Sequence, residues 1–454
     1  MKARLYMFTS PFRSDNCWQN ATCIVSPTSS KDVAQLLAVL QATNAMFSVR
    51  SGGHDFNVNH SSIGSTGLLM DMVNFNNISL SADKSTVKVG AGAHWGDVYT
   101  FLNGTGVSVN GAKSPNPGVV GSTIGGGMGW FSTLAGPTAA SLVGAQVVLA
   151  NGSVVDVDET LGADLLWGLR GGGPNFGVVT SLTYRTLPID KIWYASNLYT
   201  RDKNQQLLNA LVAYQQQTSD DNATIVYQLS VDNTTADSFV GFIYADATSE
   251  WPLVFAPFYA VEAASALINS TVGTIADLAL EYNSPQYPDP GTSRTRHYVV
   301  SLPHAVNNAT YQESYEAFVP LAEQAASKGW SMEYGAQLMS ASGAEAASDT
   351  PLNLSLVSQD WVHVTMAWSS PADDADAMET IHQIGQAIAD AAVRHNSTLS
   401  YRFMNDANSN QRVLSSYGTG MARRLREISH AYDPDRMFQK QQQSGWLLSL
   451  EGLD

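Results

Sequence analysis

Glycines clustered where a backbone must lie bare restrict a fold more than any other feature of this chain. The segment Gly118 to Gly129, GVVGSTIGGGMG, carries Gly118, Gly121, Gly125, Gly126, Gly127 and Gly129. Upstream, Ser48 to His54 reads SVRSGGH: a strand-like run ends in Arg50 and gives way to Ser51, Gly52, Gly53 and His54. Backbone amides approach an anion closely only where side chains are absent, so paired glycines after a strand suit a turn that cradles a pyrophosphate. Two such loops can hold a flat ring system with a phosphate tail, and His54 presents to it an imidazole that is nucleophilic near neutral pH.

The commoner nucleotide signatures are missing. A G-x-G-x-x-G match starting at Gly125 would need its last glycine at Trp130, and no G-x-x-x-x-G-K-[ST] occurs. There is no H-E-x-x-H, two cysteines cannot furnish a four-cysteine zinc site, and no G-x-S-x-G elbow points to a serine hydrolase. No metal site is expected.

At 454 residues the chain exceeds what one hydrophobic core usually serves, so two domains are expected. A composition 44% hydrophobic and 14% charged is that of a compact globular protein, and a net charge of −16 argues against nucleic acid and anionic membranes as partners. No run of eighteen apolar residues is present. The opening MKARLYMFTSPF lacks the apolar core of a secretory signal, yet Asn-x-Ser/Thr acceptors recur from Asn20 to Asn396. These acceptors predict a secreted glycoprotein whose signal peptide is not visible in this chain, and a monomer is expected. The only cysteines, Cys17 and Cys23, permit a small disulfide loop and equally a pair of free thiols.

In chain order, Ser29 or Ser30 caps a helix bearing Val33, Leu36, Leu37 and Leu40, and strands are predicted at Phe47–Arg50, Gly67–Met72 and Thr86–Val89. Trp95–Leu102 reads as a short helix. Valine-rich runs flank Asn151-Gly152, which predicts a two-residue hairpin turn, and Asp164–Leu169 reads as helical. After Pro188 helical patterns at Asn204–Gln217, Tyr311–Lys328 and Asp374–His395 alternate with strand-like runs at Thr224–Val231, Phe239–Tyr244 and Trp361–Trp368. Without a strict βαβ rhythm, this predicts an antiparallel sheet backed by helices. A final helix carries Leu425 and Ile428 and stops before Pro434.

SVRSGGH, WGDVYTFL, the glycine run, QVVLANGSVVDV, DLLWGLRGGGPNFGVVT and YDPDRMFQKQQ stand in the order found in the vanillyl-alcohol-oxidase family. The chain most resembles its fungal berberine-bridge-enzyme-like branch, over about Cys17–Pro188 and Tyr401–Leu448. The resemblance implies an α+β fold: a two-subdomain FAD-binding domain formed by residues 1–190 and a C-terminal return at 411–454, with a substrate domain at 191–410. It further implies FAD, bonded through its 8α-methyl carbon to His54, with Arg50, Ser51, Gly52, Gly53, Ser114, Gly118, Gly121, Ser122, Gly125, Gly126, Gly129, Gly177, Val178 and Val179 around the cofactor. Relatives with a second covalent link use a cysteine where this chain has about Ser114, so a single link is expected.

The activity implied is hydride transfer from an alcohol, sugar or secondary-metabolite carbon to the flavin, with O₂ as acceptor and hydrogen peroxide as product. Oxidative cyclisation, or a non-redox or ligand-binding role with structural FAD, are the alternatives. Many relatives carry an Asn-Tyr pair before the terminal helix, the tyrosine acting as base. Here Asn405 and Asp406 stand in that place, and a carboxylate serves as base only where its surroundings make it basic enough. Tyr401 is the second candidate, with a core role as its alternative. His297, His304 and His363 belong to the substrate domain without motif support.

Overall fold

The computed structural model describes residues 14–17, 19–217, 220–248, 250–282 and 295–454. The N-terminal stretch read for a secretory signal lies outside the described residues.

Three sheets organise the chain. In the first, β1 (Cys23–Val25), β2 (Met46–Arg50) and β3 (Gly67–Asp71) run parallel in the order β1-β3-β2. The helix Ser30–Thr43 makes the crossover from β1 to β2, and Ser29 caps it by accepting the Asp32 amide at 3.2 Å. Its stripe of Val33, Leu36, Leu37 and Leu40 is buried as the periodicity requires.

The second sheet is antiparallel, with β4 (Ile78–Leu80), β5 (Thr86–Gly90), β6 (Leu142–Val148), β7 (Val154–Asp158) and β8 (Val178–Arg185) in the order β4-β5-β8-β6-β7. The β6–β7 hairpin differs from its expected form. Gly152 donates to Leu149 C=O and Leu149 to Ser153 C=O, both at 2.9 Å, which closes a three-residue loop over Ala150–Gly152. Only Gly152 in that loop has a positive φ, 80°, whereas a two-residue type I′ turn would need two such residues.

The third sheet is the expected antiparallel one: β9 (Ile192–Tyr199), β10 (Ala223–Val231), β11 (Ala236–Tyr244), β12 (Ser265–Gly273), β13 (Arg296–Ala305), β14 (Ser331–Met339) and β15 (Gln359–Trp368), in the order β12-β9-β11-β10-β14-β15-β13. Val362, Val364, Met366 and Trp368 of β15 pack in one core with helices Asn204–Gln217, Asn308–Ser327 and Asp374–Arg394. Trp361 joins the other core, beside the first two sheets. This period of two gives the sheet one face toward its helices and one toward the glycine loops.

The C-terminal segment returns to the edge of the first sheet, where it makes an isolated parallel bridge with β2. Phe47 N–H donates to Gln441 C=O at 2.9 Å and Gln443 N–H to Phe47 C=O at 2.8 Å. The buried Asn175 fixes this return: its amide donates to Gly172 and Trp446 carbonyls, and its oxygen accepts from Gln439 and Leu448. Tyr401, Phe403, Met404 and Ala407, just ahead of this segment, pack in the same core as the first two sheets.

Candidate active site

A cavity of ≈ 330 Å³ opens where the three sheets meet. Its size lies within the range of small-molecule sites. The turn after β2 supplies Ser51, Gly52, Gly53 and His54. The glycine segment supplies Gly118, Gly121 and Ser122, the start of β8 supplies Gly177, Val178 and Val179, and the C-terminal return supplies Gln442, Ser444 and Trp446.

Local packing explains why the loops are bare. A Cβ on Gly52 would lie 2.6 Å from Gly118 Cα, and one on Gly118 would lie 2.7 Å from Gly52 Cα, so the loops touch backbone to backbone. Gly53 turns with φ 71°. At Gly121, by contrast, a Cβ would meet nothing within 4 Å, so this glycine leaves room in the cavity wall. Gly177 has a Val147 methyl and the Val148 carbonyl against its own missing Cβ. Ser122 Oγ accepts from Trp95 Nε1 at 2.7 Å and donates to Gly118 C=O at 2.9 Å, which ties the loop to the helix Trp95–Leu102.

Four of the expected cofactor residues support the site from behind. Arg50 pairs with Asp71 at 2.5 Å across the ends of β2 and β3. Gly125 makes way for Asn405, whose Cγ would be 2.8 Å from a Cβ there; Gly129 does the same for Asn110, and Gly126 turns with φ 107° near the Tyr401 hydroxyl. None of these four lines the cavity, whereas Ser114 does.

Of the expected catalytic residues, Asn405 and Asp406 line the cavity and Tyr401 does not. Asn405 latches the returning chain to the glycine segment: its Oδ1 accepts from Gly127 N–H at 3.0 Å and its Nδ2 donates to Gly121 C=O at 3.1 Å. Asp406 lines the cavity, accepts from Gln337 Nε2 at 2.6 Å and lies 3.6 Å from His363 Nδ1. Tyr401 is sealed in an aromatic cluster with Trp361 and Tyr417. Burial pushes its hydroxyl well above the ordinary tyrosine range, and Tyr417 and Asp406 add to the effect.

His54 is half-buried on the cavity wall, beside Asp55 and His60, which lie 3.5 Å apart. Burial opposes ionisation of Asp55, yet attraction to His60 and the hydrogen bond from Asn57 N–H bring its pKa below the ordinary carboxylate value. Cys17 and Cys23 are free thiols. Cys17 Sγ donates to Asp55 C=O at 3.4 Å, and burial pushes this thiol far up. The disulfide alternative is therefore not the arrangement adopted.

Sequence reasoning missed Lys113, Gln337 and Trp446, all on the cavity wall. Lys113 adjoins the recognised Ser114, so its place in the glycine approach was the available signal. Gln337 sits on β14 in a pattern like any other strand. Among the described residues no group of three or more His, Cys, Asp or Glu side chains could hold a metal ion, and no helix is long and apolar enough to cross a membrane.

A bare-walled cleft between a parallel and an antiparallel sheet, covered by a larger antiparallel sheet, defines an FAD-binding oxidoreductase. The comparisons agree. The model of an FAD binding domain matches residues 21–158. An FAD-dependent monooxygenase of Arthrobotrys oligospora is 34% identical over 96% of this chain and 84% of its own. Among solved structures, 6-hydroxy-D-nicotine oxidase from Arthrobacter nicotinovorans superposes with a TM-score of 0.80 at 20% identity, covering 95% of this chain and 94% of that one. Berberine bridge enzyme from Eschscholzia californica gives 0.75 at 16%, covering 95% and 92%. The chain belongs to the berberine-bridge-enzyme-like branch of the vanillyl-alcohol-oxidase family of FAD-linked oxidoreductases.

Proposed function

We propose that this enzyme oxidises an alcohol-type carbon of a sugar or secondary metabolite, with FAD as hydride acceptor and O₂ as the final oxidant, releasing hydrogen peroxide. The single observation that carries the reading is the carboxylate of Asp406 on the wall of the same cavity as the bare turns and His54. The residues present fit the cofactor, because Gly121 leaves open the volume that a side chain would fill. The turns Ser51–His54 and Gly118–Ser122 would hold it, with His54 as the point of covalent attachment. When bound, FAD supplies two-electron acceptance and reaction with oxygen.

The protein's own contribution is placement and proton handling. Asp406 is held by the Gln337 amide, with the His363 ring 3.6 Å away, which fixes the carboxylate against the cavity. A fixed carboxylate can accept the hydroxyl proton as the carbon gives up its hydride. Tyr401 is too deep for that part, since the wall beside Gly126 separates it from the cavity lining. The acceptor sequences around Asn20 and Asn396 support secretion of a glycosylated enzyme.

The test is an anaerobic screen of primary alcohols, aromatic alcohols and oligosaccharides for bleaching of the bound flavin, followed by air and a peroxide assay. Bleaching with stoichiometric peroxide is expected. The Arthrobotrys relative, an FAD-dependent monooxygenase by name, favours a second reading, insertion of one oxygen atom into the product. Heavy-oxygen label in the product, with peroxide falling short of substrate consumed, would select it.

A further inference from the structure

Lys113 lines the cavity, and its Nζ is shielded from solvent and has no hydrogen-bond partner in the protein. A buried ammonium without a partner is costly, so its position calls for a ligand or a compensating charge. Two carboxylates act on it: Asp406, on the cavity wall, and Asp360 of β15, fully buried. Neither is within hydrogen-bond reach of Nζ. Asp406 in turn is occupied on one side only, by Gln337 at 2.6 Å with His363 at 3.6 Å. His363 reaches that position because Gly335, its cross-strand neighbour on β14, is bare: a Cβ there would lie 3.0 Å from the ring Nδ1 and closer still to its other atoms.

A hydroxyl donates and accepts through a single atom. Lys113 and Asp406, a cation and a carboxylate that line one cavity with no hydrogen bond between them, are complementary to it.

We propose that Lys113 and Asp406 together form the subsite for the substrate's reacting oxygen, an alcohol hydroxyl that donates to the Asp406 carboxylate and accepts from the Lys113 ammonium. This assignment rests on the oxidation read above and names its substrate as an alcohol rather than an amine, whose ammonium form Lys113 would repel. In the reaction the O–H bond breaks and its proton passes to an Asp406 oxygen. The negative charge growing on the substrate oxygen meets Lys113, and the C–H electron pair leaves as hydride for the flavin while the C=O bond forms. Lys113 serves in its charged form. Burial lowers its pKa to about 8, with Asp406 and Asp360 holding it up, so the charged form still predominates at neutral pH. The other ionisable groups near the subsite are His363 behind Asp406 and His54, Asp55 and His60 on the cavity wall.

The experiment uses the flavin-loaded enzyme and its Lys113→Met, Lys113→Arg and Asp406→Asn variants. Side-chain ¹⁵N-lysine NMR is followed against pH, without and with 2,2,2-trifluoroethanol, an alcohol whose electron-poor carbon resists hydride loss. The signal missing from Lys113→Met should titrate near pH 8, move on adding trifluoroethanol, and titrate lower in Asp406→Asn. A Lys113 signal that ignores the alcohol, or that titrates in the ordinary lysine range, overturns the subsite.

With whichever panel alcohol bleaches the flavin, the wild-type rate should fall as pH rises through about 8. Lys113→Met should lose about 10²- to 10³-fold, the scale of one oxyanion donor, and Lys113→Arg should recover part of the rate without the alkaline fall. A Lys113→Met enzyme with wild-type rate and pH profile also overturns the subsite. Failure of every alcohol to bleach the flavin sinks the oxidation reading by itself, because the NMR result still decides the subsite.

Discussion

Gly121→Ala should make the protein without flavin slightly more stable and its grip on the flavin much weaker. Gly121 sits inside the short helix Val119–Ile124, where glycine costs roughly 0.5–1 kcal/mol relative to alanine. The added methyl meets no protein atom within 4 Å, so nothing inside the fold opposes that gain. For a chain of this length the gain corresponds to about 1 °C in melting temperature. The same methyl enters the cavity, where an extra methylene against a close-fitting occupant costs about 1–3 kcal/mol. That range converts to about 5- to 150-fold weaker binding. The measurement is a fluorescence-quenching titration with FAD in a His54→Ala background, which makes binding reversible, beside melting curves of the flavin-free proteins. Unchanged affinity, or a lower melting temperature, would refute the placement of the flavin against this helix.

Other substitutions separate the roles of neighbouring residues. His54→Ala should leave a protein whose acid precipitate is colourless after washing, while wild type stays yellow; equal colour in both would rule out the histidyl link. Tyr401→Phe removes a hydroxyl that has no partner, so the flavin-bleaching rate should stay within about twofold and stability should not fall; a hundredfold loss would restore this tyrosine as the base. Asn405→Ala strips the partner from Gly127 N–H and one of two from Gly121 C=O, which keeps Gly125 N–H, and should cost about 1 kcal/mol in urea unfolding. Burial pushes the Asp360 carboxyl up to about 7, with Tyr311 and Lys113 offsetting only part of it. The folded state therefore binds this proton more tightly than the unfolded chain, and stability contributed here falls as pH rises from about 4 to about 7. Asp360→Asn should flatten that slope and gain stability above pH 7, and an unaltered urea–pH profile would contradict the burial argument.

Local patterns foretold most elements because their causes are local. The apolar spacing from Val33 to Leu40, the serine cap before it, and the helical stretches Asn204–Gln217 and Asp374–Arg394 each carry their own periodicity. The hairpin loop was the informative miss: Asn151-Gly152 is a strong two-residue signal, but the register of β6 on β7 placed the turn one residue wider. Register belongs to the pairing of strands, which short-range chemistry sets only in part.

The site divides along the same line. Ser51–His54, Gly118, Gly121 and Ser122 were legible, since bare backbone after a strand has few uses and the glycines mark it. Gly125, Gly126 and Gly129 carry the same signature yet brace the wall from outside the cavity, because a glycine records only that something lies close, and here that something is Asn405, Asn110 or the Tyr401 hydroxyl. Lys113, Gln337, His363 and Asp406 come from separate regions of the chain, and no spacing in the sequence relates them. What the sequence determined was where the backbone had to be bare and which stretches were helix or strand. Which charges face one another across the cavity was decided by the packing of the third sheet over the glycine loops, an arrangement whose contacts span hundreds of residues and so leave no periodic trace.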